Sequence, residues 1–224
     1  MKNILMNKEM TKAILDGRKT QTRRVGITAS GKYIIDDNLI KSYKLANQDI
    51  LKCGKYQKGD VVWVREPAKV VDYVESNITM KVEYVDGEAT TKDIPERFLN
   101  EDGYIKASWI KNMQGVPNGC IKEMARIFLK IIDVRVEKLQ SISVDSIKSE
   151  GCNLHHLDCT CMYSDEACYK CFRSDDSDYF DEWIELWDKT APKGYKWEDN
   201  PYVFVYEFER IEKWSKLVYL GIIF

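Results

Sequence analysis

The segment GRKTQTRR, residues 17–24, carries four cationic side chains, two threonines and no acidic side chain. A basic face that forms surface salt bridges normally includes acids, so this run raises the question of what its side chains bind. Two interpretations are open at this point. The segment is either a solvated basic face or a local site for a phosphate or a nucleobase, because a charged cleft can bind an anion whatever the net charge.

A second group of residues with chemical potential lies in KGDVVWVREP, residues 58–67. A Gly-Asp turn precedes a predicted strand, in which Val62, Val64 and Glu66 share one face. A carboxylate beside two valines is either paired or has a raised pKa, since burial disfavours its charged form. Glu66 is therefore either the ion-pair partner of an arginine such as Arg65 or Arg126, or a general acid.

A third group is the segment CNLHHLDCTCMYSDEACYKC, residues 152–171, which holds five of the seven cysteines and both histidines. Thiolates and imidazoles are the donors that tetrahedral zinc prefers, so the segment predicts a structural zinc that orders an insertion. Free thiols are the alternative, and a catalytic zinc with Glu166 nearby is a further one. The candidate ligands are Cys152, His155, His156, Cys159, Cys161, Cys168 and Cys171.

Elements that position these groups follow from periodicity and turn signals. A helix is predicted over 8–16, with Gly17 as its left-handed stop, followed by a strand over 20–25 and a long loop or lid over 26–58. Further helices are predicted from Ser143 to Gly151 and over 178–188, where an aromatic stripe indicates a core face. Further strands are predicted over 78–85, 104–109, 127–137 and 202–208. Non-adjacent strands of this kind indicate an antiparallel or mixed sheet.

Composition limits the function classes. With 224 residues, 44% hydrophobic residues and 31% charged residues, the chain fits one globular domain. The net charge of −2 argues against binding nucleic acid by bulk electrostatics, so any such contact is local. The N-terminal apolar stretch is too short for a signal peptide, and we expect a cytoplasmic protein without a membrane partner. The apolar residues 212–224 are predicted to form a C-terminal tail.

Four blocks together resemble the ASCH domain family of the PUA-like superfamily, in particular its phage and prophage branch. They are ILDGRKTQTRR, KGDVVWVRE, MARIFLKIIDVRVEKLQSIS and FDEWIELWDKTAPKGYKWEDNPYVFVYEFER. The resemblance implies an α+β fold, with a small β-barrel of mixed strands and flanking helices. It also implies one domain over 1–211, with the Cys/His-rich residues 152–177 as an insertion, in the cytoplasm of a bacterial host.

The resemblance extends to function. Some compact ASCH proteins are amidohydrolases that remove the acyl group from N4-acetylcytidine with a lysine, a threonine and a glutamate. By motif, these are Lys19 as base, Thr22 as nucleophile and Glu66 as acid. Other relatives bind RNA without catalysis, so the alternatives are a noncatalytic RNA or DNA reader and a phage protein that binds a host factor.

Partners follow from the same comparison. The implied ligand is a nucleoside or single-stranded RNA or DNA. The cationic residues expected to contact its phosphate or base are Arg18, Arg23, Arg24, Arg65, Lys122 and Arg126. Like charge from these arginines would lower the pKa of Lys19, whereas a close Lys19–Glu66 pair would oppose that shift, so the two groups would titrate together.

Overall fold

The computed structural model describes residues 1–26, 35, 47–152 and 176–212. Its strands are β1 (Lys2–Leu5), β2 (Gln21–Val25), β3 (Val61–Arg65), β4 (Ala68–Val74), β5 (Thr79–Tyr84), β6 (Ala89–Asp93), β7 (Phe128–Lys138) and β8 (Tyr202–Ile211). Its helices are α1 (Lys8–Leu15), α2 (Asn47–Lys52), α3 (Ser108–Lys111), α4 (Val144–Ser149) and α5 (Asp176–Thr190). None of the described helices has the length and apolar character that a membrane span requires.

The described chain divides into two compact units. The first unit comprises Met1–Asp16 and Val61–Lys130, with the described residues from Arg210 on. In it, β1 lies parallel to β3, and β3 lies antiparallel to the start of β7. A separate antiparallel sheet has the order β4-β5-β6 and packs on a core that includes Val70, Met80 and Val82.

The second unit comprises the described parts of Gly17–Asp60 and Ile131–Glu209. Its strand order is β7-β8-β2, and β2 is antiparallel to β8. Its core gathers Trp183 and Trp187 of α5 against Val203 and Val205 of β8, and Phe180 packs beside them. The prediction that the aromatic stripe of this helix is a core face is therefore confirmed.

The prediction of an α+β chain with mixed strands is confirmed, since β1 and β3 are parallel, whereas β2 is antiparallel to β8 and β3 is antiparallel to β7. Among the described residues no sheet closes into a barrel, so the PUA-like architecture stays a prediction. The single domain over 1–211 likewise stays a prediction. Of the predicted tail over 212–224, only the first residue lies within the described ranges.

Most predicted elements agree with the structure, and two ranges differ. The range 104–109 was expected to be a strand, and this is wrong: the chain makes one isolated bridge at Ile105 and then enters α3. Helical spacing lets Trp109 and Ile110 both reach the core, which alternation along a strand would not allow. The range 26–58, expected to be a loop or lid, contains α2, and 27–34 and 36–46 lie outside the described residues.

Candidate functional site

The turn after α1 presents the basic segment to α4. Gly17 adopts a φ of 75°, which is the left-handed conformation predicted for it as the helix stop. The next residues contact the C-terminal end of α4: the Lys19 Nζ donates to the Glu150 carbonyl at 2.7 Å, and the Thr20 amide donates to the Ser149 carbonyl at 2.9 Å. Arg18 Nη1 donates to the Gly151 carbonyl at 2.9 Å.

Residues 18–20 thus bind three carbonyl groups at or just beyond the last turn of α4. Helix ends leave such carbonyls without partners in the helix, and cationic side chains are favourable there. This capping role was not predicted from the sequence. It joins residues more than 125 positions apart, a separation that no local pattern reveals.

The centre of this arrangement is Glu150, which the sequence reasoning missed. One oxygen of its carboxylate accepts from Lys19 Nζ at 2.8 Å, and the other accepts from Arg23 Nη1 at 3.1 Å. Lys19, Arg23 and Glu150 are each exposed by 3% or less. Burial lowers the pKa of Lys19, although the Glu150 carboxylate acts in the opposite direction.

A network of alternating charge continues from Arg23 toward the surface. Arg23 Nη2 binds Glu137 at 2.5 Å, and Glu137 binds Arg135 at 3.2 Å. Arg135 in turn binds Glu207 and donates to the Gln21 side-chain oxygen at 2.8 Å. We call this group the β2 cluster, and its members are Lys19, Gln21, Arg23, Arg135, Glu137, Glu150 and Glu207. Its three cations are balanced by three carboxylates.

The β2 cluster and its neighbour Trp183 contain donors that the described residues leave without an acceptor. These atoms are Gln21 Nε2, Arg23 Nε and Trp183 Nε1. The Arg23 guanidinium carbon lies 5.9 Å from the centre of a Trp183 ring, so two of these donors come from neighbouring side chains. A buried donor without an acceptor costs about 1–3 kcal/mol.

Thr22 lies on the opposite face of β2 from Gln21 and Arg23, because side chains alternate along a strand. It is paired in register with Tyr206 of β8 and is 1% exposed. Burial raises the pKa of Tyr56 and of Tyr206 to about 12, so both phenols beside this face remain neutral near pH 7.

Glu66 lies in the first unit, directly after β3, and its side chain is fully buried. Arg126 binds both of its oxygens, through Nε and Nη2, each at 2.9 Å. Burial raises the pKa of Glu66, and the bonds to Arg126 only partly offset that effect. Of the two sequence interpretations, the structure shows the ion pair directly, and Arg126 is the partner.

Arg126 has two further carboxylate partners in the same unit. Its Nη1 binds Asp86 at 2.7 Å and Glu88 at 2.8 Å, and its guanidinium carbon lies 4.2 Å from the centre of the Tyr84 ring. We call this group the hairpin cluster, and its members are Glu66, Tyr84, Asp86, Glu88 and Arg126. Burial alone would lower the pKa of Arg126, but its carboxylate bonds raise it, so the guanidinium remains charged.

The other predicted contact residues are more dispersed. Arg24 follows Arg23 on β2 and is half-buried, and its charge lowers the pKa of Tyr56 and Tyr206 against the larger effect of burial. Arg65 ends β3 and is half-buried, whereas Lys122 is exposed. Arg23 and Arg126, two of the six cationic residues that were predicted to contact a ligand, are both held by carboxylates of their own unit.

Of the candidate zinc ligands, only Cys152 falls within the described residues, where no group of three or more metal-binding side chains occurs. The others, His155, His156, Cys159, Cys161, Cys168 and Cys171, lie outside the described ranges. Cys152 packs in the core of the second unit, and burial raises its pKa to about 12.

No protein-family model matches the chain, and no curated protein or solved structure matches it either.

Proposed function

We propose that this chain is an ASCH-type protein that binds a nucleobase or nucleoside through β2 and the side chains around it. The observation that carries the proposal is the excess of buried donors at Gln21, Arg23 and Trp183. Folding normally gives every buried donor an acceptor, so each exception calls for one supplied from outside the chain, such as a water, an ion or a ligand. A cytosine ring offers suitable acceptors in its carbonyl oxygen and ring nitrogen.

Charge balance within the β2 cluster supports a neutral portion of ligand at this position. Lys19 and Arg23 already share Glu150, and Arg23 also binds Glu137. A phosphate would have to compete with those carboxylates for Lys19 and Arg23. A carbonyl oxygen of the ligand needs only one of the donors that lack an acceptor. Because the free donors have no contact with solvent, the ligand reaches them after rotation of Arg23 or Trp183.

The reaction we propose to test is hydrolysis of an N4-acylated cytosine derivative. In this reaction Thr22 Oγ1 would attack the acyl carbon and lose its proton to a base, giving an acyl-threonine, and the exocyclic nitrogen would leave with a proton from an acid; the resemblance gives these roles to Lys19 and Glu66. Water would then hydrolyse the ester. The roles of Lys19 and Glu66 rest on the resemblance alone. The role of Thr22 is also supported by its burial on β2, in register with Tyr206.

Thr22 offers the sharpest test, because valine has nearly the same shape and lacks only the hydroxyl. We expect Thr22→Val to fold, since the change keeps the shape of this buried side chain. Its release of cytidine and acetate from N4-acetylcytidine should fall at least about a thousand-fold below wild type, as is usual for loss of a nucleophile. Thr22→Ser is the matched control and should retain turnover. Equal rates for wild type and Thr22→Val would refute the reaction.

A noncatalytic reader of single-stranded RNA or DNA is the second candidate. It is favoured by the engagement of Lys19, which binds Glu150 together with Arg23, while Thr22 lies on the opposite face of β2 from Arg23. Binding of short single-stranded oligonucleotides would then weaken with salt and in Arg24→Gln. Lys193→Ala is the control, because Lys193 is exposed in the same unit. Absence of binding at low salt would refute this candidate.

A structural zinc remains part of the proposal for residues 152–171, because their cysteines and histidines suit the metal. Given the packing of Cys152, we expect the remaining donors to hold it. Purified protein should contain zinc, and Cys152→Ala should retain the same zinc content while losing stability. Purified protein without zinc would refute the metal. Loss of zinc in Cys152→Ala would instead make Cys152 a ligand.

A further inference from the structure

The turn between β5 and β6 places two carboxylates side by side. Gly87 adopts a φ of 86°, and the Tyr84 amide donates to the Glu88 carbonyl at 2.9 Å, which closes the hairpin. The Glu88 amide donates to Asp86 Oδ1 at 3.1 Å, which orients the aspartate side chain. The other oxygen of Asp86 and one oxygen of Glu88 both bind Arg126 Nη1.

Arg126 therefore has its orientation fixed from several directions. Its Nε and Nη2 face Glu66, its Nη1 faces the turn, and its guanidinium lies over the Tyr84 ring. A planar guanidinium with all these contacts cannot rotate without breaking several of them at once. Glu66 is in turn held by Arg126, and its backbone carbonyl accepts from the Cys120 amide at 2.7 Å.

We infer that Asp86 and Glu88 are positioning residues for Glu66: by holding Arg126, they fix the Glu66 carboxyl group and divide the positive charge that it receives. As an acid for the proposed reaction, Glu66 must keep a proton although an arginine lies beside it. Carboxylates on the far side of Arg126 make this easier, because their negative charge opposes ionisation of Glu66. The inference rests on the proposed function for its catalytic meaning, but not for its geometry.

The groups around Glu66 act on its pKa in two directions. Asp86 and Glu88 raise the pKa of Glu66, after burial as the largest cause, while Arg126 lowers it. Tyr84 and Cys120 are the other titratable neighbours. Burial raises the pKa of both, to about 11 for Cys120, so both are neutral near pH 7. Among the described residues, the charged groups that chiefly set this balance are therefore Arg126, Asp86 and Glu88.

The test is an NMR titration of the Glu66 carboxyl carbon in wild type, Asp86→Asn and Glu88→Gln. We expect the pKa of Glu66 to be lower in Asp86→Asn, because the neutral amide no longer offsets the positive charge that Arg126 places beside Glu66. Glu88→Gln should shift it in the same direction by less, since the Glu88 side chain is 72% exposed. Glu83→Gln is the control, because it removes one exposed carboxylate from the same hairpin and has no bond to Arg126.

A titration of Glu66 in Asp86→Asn that coincides with that in Glu83→Gln would overturn the inference. Where N4-acetylcytidine is hydrolysed, the high-pH limb of kcat should also move to lower pH in Asp86→Asn and stay in place in Glu83→Gln. If the high-pH limb of kcat stays in place while the titration of Glu66 moves, the hairpin carboxylates do not position a catalytic group. If the wild-type protein shows no turnover, the proposed reaction is refuted. The NMR titration still decides whether Asp86 and Glu88 act on Glu66 through Arg126.

Discussion

The β2 cluster and the hairpin cluster differ in which charged group is shared among several partners. In the β2 cluster one carboxylate, Glu150, serves two cations, and all three groups are sealed from solvent. In the hairpin cluster one cation, Arg126, serves three carboxylates, and the group opens to solvent through Glu88. The shared partner is therefore a carboxylate, Glu150, in the β2 cluster and an arginine, Arg126, in the hairpin cluster.

This difference determines what a substitution leaves behind. Loss of a shared partner leaves a buried charge without its counter-ion. This lowers the free energy of unfolding by far more than the intact pair contributes to it. Loss of one of several equivalent partners leaves the remaining ones in place. The two clusters thus predict opposite responses to removal of a single carboxylate, and the following measurements test that contrast.

The largest effect is expected for Glu150→Gln, which leaves Lys19 and Arg23 with one buried carboxylate fewer. Breaking a buried ion pair typically lowers the free energy of unfolding by about 3–5 kcal/mol, and we expect a loss in that range in urea unfolding. Glu198→Gln is the control, because Glu198 is exposed in the same unit. The double variant Lys19→Met/Glu150→Gln should lose less than Glu150→Gln alone. If Glu150→Gln is as stable as the control, the predicted difference between the two clusters is contradicted.

A smaller loss is expected for Glu66→Gln in the hairpin cluster. Arg126 keeps Asp86 and Glu88, and glutamine still offers one acceptor, so the loss should be near that of a charged hydrogen bond, about 1.5–3 kcal/mol. Urea unfolding at pH 7 measures it. A loss equal to that of Glu150→Gln would show that the number of partners does not matter.

The difference in free energy of unfolding between wild type and Glu66→Gln, called the gap below, should also depend on pH. Burial raises the pKa of folded Glu66 above the ordinary value of 4.5, so the folded state binds this proton more tightly than the unfolded state. The contribution of Glu66 to stability is therefore complete at low pH and declines as pH rises through 4.5 and toward the folded pKa. Unfolding series from pH 4 to 8 should show the gap narrowing, and a widening gap would reverse the assigned shift.

The smallest effect is expected for Arg97→Gln. Arg97 binds Glu123 with two hydrogen bonds of 2.8 Å, but its side chain is 52% exposed. Exposed pairs contribute between about 0.2 and 1 kcal/mol, because water screens them. A loss as large as that of Glu66→Gln would mean that burial is not what separates the clusters from this surface pair.

Local chemistry explains what could be predicted from the sequence. Gly17 as a left-handed stop, the strand containing Arg23 and the core face of α5 each depend on neighbours a few positions away. The partner of Glu66 was among two named arginines because only a cation could meet a buried carboxylate. Strand β6 was not predicted, because ATTKD is exposed and has no apolar alternation, and it is a strand through its pairing with β5.

The role of Glu150 could not be predicted, because it depends on distant parts of the chain meeting. Nothing around KSEG, residues 148–151, indicates that this carboxylate is buried or that Lys19 caps the helix before it. The basic run was read as a site for a ligand, and part of its charge is instead used by α4 and Glu150. Long-range pairing of this kind is set by tertiary packing.

The central claim is that free donors beside β2 meet a ligand acceptor, and nitrogen-proton NMR spectra test it directly. Arg23 Nε and Trp183 Nε1 each carry one proton and Gln21 Nε2 carries two, and all of them give side-chain signals. On addition of N4-acetylcytidine or cytidine to Thr22→Val, we expect these signals to shift while those of Trp197 and Gln140 stay in place. If these signals are unmoved at millimolar ligand, or an experimental structure shows the donors bonded to ordered water in the presence of ligand, the claim is contradicted.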